Sequence, residues 1–188
     1  MADQIRSAQR GRVSEGGSGG GDSTRCGQRS YSVSRWAAYL AAAWGVLFAL
    51  MSFYWALGGR HGADTIGGDL ERLALERNPA IVAALWVTGV LKVVGALLAL
   101  ALVRPWGERL PRRLVVVVGW VVAVFLTLYG AVLVIPEALV ASGVITPAQP
   151  VAWKPLLWHL WVWDMSFLVW GVLFTVAVRG FARRTRRH

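Results

Sequence analysis

Six ionisable side chains stand out in a chain that otherwise keeps charge out of its long apolar runs. Lys92 and Asp164 lie inside such runs, and His61, Asp64, Glu137 and His159 lie near their ends or in the first loop. A lysine or aspartate at the centre of a membrane span costs about 2.5–3.5 kcal/mol on insertion scales, so it is expected to face protein or water and to find a partner. Lys92 shares a helical stripe with Thr88, Gly89, Gly95, Ala96 and Ala99, all small, which points it towards neighbouring helices. Asp164 is its natural partner: the two differ in depth by roughly 6 Å, a gap that a lysine stem bridges by snorkelling. An intramembrane Lys92–Asp164 ion pair would either fix helix register or line a proton or ion path.

His159 precedes Asp164 by five positions. On a regular helix that spacing separates the two side chains by about 140°. They are therefore expected on different faces, with His159 at the outer interface and unable to share a metal with Asp164. Glu137, with His61, Asp64 and His159, is expected to form a polar cluster at the external mouth. Those residue types suit a divalent metal, but their spacing matches no zinc motif such as H-E-x-x-H. No metal and no cofactor is expected. Trp161 and Trp163 bracket Asp164 and are expected to shield it from lipid. The absence of a nucleophile elbow, phosphate loop or dinucleotide fingerprint argues against an enzyme.

The elements that must position these groups can be read from composition. The chain has 188 residues, 56% hydrophobic and only 16% charged, against roughly 25% charged in soluble domains. Its net charge of +10 comes from 20 Lys and Arg set against 10 Asp and Glu. These basic residues gather in two tails and one short loop instead of lining a soluble face, which argues against nucleic acid as a partner. A lone Cys26 excludes an internal disulfide.

Residues 1–35, including "SEGGSGGGDSTRCGQRS", have almost no large apolar side chains and are expected to be a disordered basic tail. Such a tail before a long apolar run is unlike a secretory signal peptide, so the first span is expected to remain as an anchor. Beyond it lie four apolar runs, about 36–57, 79–103, 114–135 and 156–178. Each is near the roughly 20 residues that cross about 30 Å of hydrocarbon. Unpaired backbone groups are too costly in lipid for isolated strands, so the runs are read as helices. The expected fold is all-α: an integral membrane, up-and-down bundle of four transmembrane helices, with residues 179–188 as a basic tail. Asn78 and Pro79 suit the N-cap and first position of the second span. In the first loop, Arg72 and Glu76 are spaced as an i,i+4 pair.

Lys and Arg concentrate in the N-terminal tail, the "RPWGERLPRR" loop and the C-terminal tail. By the positive-inside rule both termini are expected in the cytoplasm, with the protein multi-pass in the plasma membrane. Expected partners are the bilayer, including anionic headgroups, and either a second copy of the chain or a membrane partner subunit.

The segments "SFYWALGG", "ALWVTGVLKVVGALLALALVRPWG", "LYGAVLVIPEALV" and "WHLWVWDMSFLVWG", in this order, resemble a domain-of-unknown-function family of small four-span bacterial integral membrane proteins. The resemblance covers roughly residues 36–178 and implies a helical membrane domain without an assigned activity. Met165 stands where the resemblance would place a proline after Trp163 and Asp164. The leading functional expectation is a structural or accessory membrane subunit. Two alternatives are a proton-coupled or ion transporter using Lys92 and Asp164, and an enzyme acting on a lipid or quinone at the outer leaflet through His159, Glu137 or His61.

Overall fold

The computed structural model describes residues 20–65, 68–148 and 151–185. The chain divides into two units, Met1–Val33 and Ser34–His188. All of the candidate site residues belong to the second.

The helices are α1 (Gly20–Ala56), α2 (Gly68–Leu75), α3 (Pro79–Ala101), α4 (Arg112–Ala141), α5 (Trp153–Trp158) and α6 (Met165–Arg184), with a π-helical turn, His159–Asp164, joining the last two. Four stretches are long and apolar enough to cross a membrane: Ser32–Ala56, Pro79–Ala101, Arg112–Ala141 and Trp153–Arg184. The described residues contain no strand. This is the expected four-span helical membrane bundle. Of the expected disordered tail, residues 1–19 lie outside the described residues. Helix α1 already begins at Gly20, upstream of the apolar run, because extending an existing helix costs far less than nucleating one.

Local chemistry accounts for the boundaries. Asn78 caps α3, its side chain accepting from the Ala80 backbone N–H at 3.0 Å, and Pro79 takes the first helical position. In α2 Arg72 bridges Asp69 at 3.3 Å and Glu76 at 3.5 Å. Helix α4 continues through Pro136 to Ala141, which brings Glu137 onto the helix.

Contacts at the two ends show the spans running alternately up and down. At one end Arg104 lies 5.7 Å from the Tyr39 ring. There Arg112 Nε also donates to Thr185 Oγ1 at 2.6 Å, and Arg184 donates to the Leu102 carbonyl at 3.2 Å. At the other end Trp163 Nε1 donates to Thr65 Oγ1 at 3.1 Å, and Lys154 pairs with Asp64. We call these the basic end and the loop end.

Between the ends, small residues let the helices approach closely. Trp170, buried in the core, donates from Nε1 to the Ala41 carbonyl at 2.9 Å. Its ring packs so tightly on two glycines that a Cβ at Gly45 would stand 2.8 Å from it and one at Gly95 3.1 Å. The third and fourth spans meet through Gly130 and Gly171. A Cβ at Gly130 would lie 2.5 Å from the Leu168 nitrogen, and one at Gly171 2.6 Å from the Thr127 nitrogen. Backbone cannot yield as a side-chain tip can. Gly130→Ala is therefore expected to destabilise the bundle by about 1–3 kcal/mol, the usual range for overpacking. Val132→Ala, on the outward surface, should change stability by less than about 0.5 kcal/mol. Thermal unfolding of both variants in detergent checks the contrast.

Candidate functional site

The π-helical turn carries the site. In an α-helix, positions five apart diverge, but a π turn closes its backbone hydrogen bonds from i to i+5 and so stacks such positions on one face. His159 and Asp164 are its first and last residues. Accordingly His159 Nδ1 lies 3.2 Å from Asp164 Oδ2. The expectation that these side chains point to different faces is thus overturned, since it rested on regular α-helical geometry that the chain does not keep here.

Helix α4 supplies the third member. The donor atoms of Glu137, His159 and Asp164 all lie within 4.8 Å of one another. Asp164 is only 4% exposed, and Glu137 Oε2 is a buried oxygen without a hydrogen-bond partner among the described residues. Two carboxylates brought this close, one of them buried, repel each other unless a proton or cation lies between them. The donor set fits a metal. Carboxylate oxygens and imidazole nitrogens bind zinc-like ions at about 2.0–2.2 Å, so two donors on one ion can stand at most about 4.4 Å apart. In a tetrahedral site such donors stand about 3.5 Å apart; His159 and Asp164, at 3.2 Å, already meet that, and a side-chain shift of about 1 Å at Glu137 would close the trio on a cation.

The polar cluster expected near the loop end is therefore only partly assembled. Glu137 and His159 come together, joined by Asp164 and not by His61 or Asp64. His61 belongs to the first loop, where its carbonyl accepts from Trp55 Nε1 at 3.0 Å and its amide N–H donates to the Tyr54 hydroxyl at 3.2 Å. Asp64 pairs with Lys154, and that hydrogen bond holds the Asp64 carboxyl below its ordinary range. Sequence spacing could not reveal this donor set, because it is shared by two helices and includes a π turn.

Lys92 and Asp164 do not pair. Lys92 Nζ donates to Ser52 Oγ at 2.7 Å and lies 5.9 Å from the Phe48 ring centre. Phe48 in turn packs edge-on against Trp163, at 5.9 Å, and Phe167, at 6.5 Å. Phe48, Trp163 and Phe167 thus pack as an aromatic cluster on the lysine's side. Among the described residues Lys92 has no carboxylate at ion-pair distance.

The two tryptophans beside Asp164 divide their roles. Trp163 turns inward, 5.2 Å from the Trp55 ring, and its Nε1 reaches Thr65. Trp161 is 67% exposed and turns outward, so the two tryptophans expected to flank Asp164 together face different surroundings. Sequence reasoning missed Ser52, Thr65 and Trp170. Ser52 and Lys92 lie on different spans and Trp170 is one tryptophan of 11, so no local pattern marked them.

Residues 45–174 match the model of a family described as "Protein of unknown function (DUF3995)". Neither the curated proteins nor the solved structures contain a match to the chain. The matched stretch takes in all three members of the cluster and most of the four-span region, and the chain belongs to this family of unknown function.

Proposed function

We propose that the protein is a cation-binding integral membrane protein whose Glu137–His159–Asp164 centre takes one divalent first-row transition-metal ion. The observation that carries this reading is the convergence of two carboxylates and an imidazole within 4.8 Å, one carboxylate oxygen being buried and unpartnered among the described residues. A 2+ ion would neutralise both carboxylates where lipid and protein cannot solvate them. Oxygen and imidazole donors suit Zn2+, Mn2+ or Fe2+ and not the soft cations that require thiolate or thioether ligands. This replaces the Lys92–Asp164 pair as the basis for an ion-handling role.

The chelator-stripped protein in detergent is expected to bind Zn2+ or Mn2+ saturably at one ion per chain by calorimetry. Glu137→Gln, His159→Ala and Asp164→Asn should each weaken binding at least tenfold, while Lys92→Ala leaves it unchanged. Absence of saturable binding, or its survival in Asp164→Asn, refutes the reading.

We infer that both termini face the cytoplasm and the loop end faces out of the plasma membrane. The charge asymmetry of the basic end supports it. Lys154→Cys should then react with a membrane-impermeant maleimide in intact cells, with Cys26 replaced by Ser. Labelling only after lysis would invert the topology.

A second reading, a structural or accessory subunit, is favoured by α3. Only 11% of its most apolar window is buried inside the chain, and Leu91, Val94 and Leu97 all face outward. If α3 meets a second copy, Val94→Cys should form oxidative dimers in native membranes. Monomers alone, in both crosslinking and native mass spectrometry, would remove the homo-oligomeric form of this reading.

A further inference from the structure

A cavity of about 270 Å3 opens at the loop end, bounded by the end of α1, by α2 and by the first turns of α3. Its character changes with depth. Arg60 and Arg77 stand at the loop side, Trp55 flanks it on α1, and Ile81, Leu85 and Thr88 line it along α3. From Ile81 to Thr88 is seven residues, about 10 Å of helix, so the apolar wall descends well into the span.

The Arg77 side is built for its guanidinium. Arg77 adopts a left-handed backbone conformation, φ 55°, rare for a residue other than glycine. Gly58 opposite has φ 99°, and a Cβ there would stand 2.1 Å from Arg77 Nη1. The guanidinium lies directly over that glycine and donates to the Ala56 carbonyl at 3.4 Å.

Charge in the same loop is unevenly matched. Arg72 is paired with both Asp69 and Glu76. Among the described residues, neither Arg60 nor Arg77 has a carboxylate at ion-pair distance. Two uncompensated guanidiniums above an apolar wall at a membrane boundary call for an anion with a hydrocarbon body. Guanidinium forks match phosphate oxygens in paired hydrogen bonds.

We propose that this cavity binds one anionic phospholipid. Its phosphate lies between Arg60 and Arg77, and the upper part of one acyl chain lies along Ile81, Leu85 and Thr88. The cavity is too small for a whole diacyl lipid, so the remaining hydrocarbon stays in the bilayer. The bound lipid would fasten the first loop to α3 without touching the Glu137–His159–Asp164 centre.

Native mass spectrometry of the full chain in mild detergent tests this with three probes: dioleoyl phosphatidylglycerol, dioleoyl phosphatidylcholine and inorganic phosphate. The expected result is one phosphatidylglycerol per chain, bound at least tenfold more tightly than phosphatidylcholine. Arg60→Gln combined with Arg77→Gln should abolish the preference, and Arg72→Gln should leave it intact. Ala84→Trp, which fills the apolar wall, should weaken phosphatidylglycerol at least threefold with both arginines present. Should the double variant fail to fold, Arg60→Gln alone and Ala84→Trp decide the matter. Equal binding of the two lipids, or unchanged preference in the arginine variants, overturns the proposal. Displacement of phosphatidylglycerol by equimolar inorganic phosphate also overturns it, since the site would then be one for a free anion.

Discussion

Close approach of helices at glycine is the constraint on which the rest of the bundle depends. Lipid tails are as apolar as the side chains they surround, so association of spans depends on packing and on hydrogen bonds that lipid cannot supply. Trp170 provides both: its ring fills the space left by Gly45 and Gly95 on two other spans, and its indole N–H finds the Ala41 carbonyl. One side chain on the fourth span thereby ties in the first and second. Gly130 against Leu168 and Thr127 against Gly171 then set the register of the third and fourth spans. That register, continued two turns further along α4, brings Glu137 alongside the π turn that carries His159 and Asp164.

The polar groups inside the spans are sorted by what they can reach. Lys92 ends on a serine hydroxyl and beside an aromatic ring, contacts that accommodate a cation without a carboxylate. Asp164 finds an imidazole from its own helix and a second carboxylate from α4. Phe48 packs beside Lys92 and against Trp163 and Phe167, which flank Asp164 in the sequence. The bundle therefore contains two separate polar sites where simple charge matching would place one.

The loop end gathers most of the chemistry. There the first loop is held by Trp163 on Thr65 and by Lys154 on Asp64, while α2 neutralises Arg72 internally. Among the described residues there, two clusters stand apart from these pairs: the Glu137–His159–Asp164 centre within the bundle and the arginines Arg60 and Arg77 beside a cavity. The first is the proposed cation site and the second the proposed anion site. They lie on different elements, α4 with the π turn and α1 with α2 and α3, so either can be altered without rebuilding the other.

Much of this protein was legible in its sequence. Four apolar runs of span length, the Asn78–Pro79 start of α3 and the Arg72–Glu76 pair all depend on local composition and spacing, and the structure has each of them. Even Glu137 and His159 could be assigned to one end of the bundle by counting residues. Which ionisable groups meet could not be read in the same way. Sequence spacing converts to direction only through an assumed helix, and a single π turn changes the angle between positions five apart enough to reverse the conclusion for His159 and Asp164. The partner of Lys92 likewise depended on rotation of one span against another, which glycines and a tryptophan distant in sequence determine. Periodicity and hydropathy act within a helix, whereas a site shared between helices is decided by packing, and only the tertiary structure contains that.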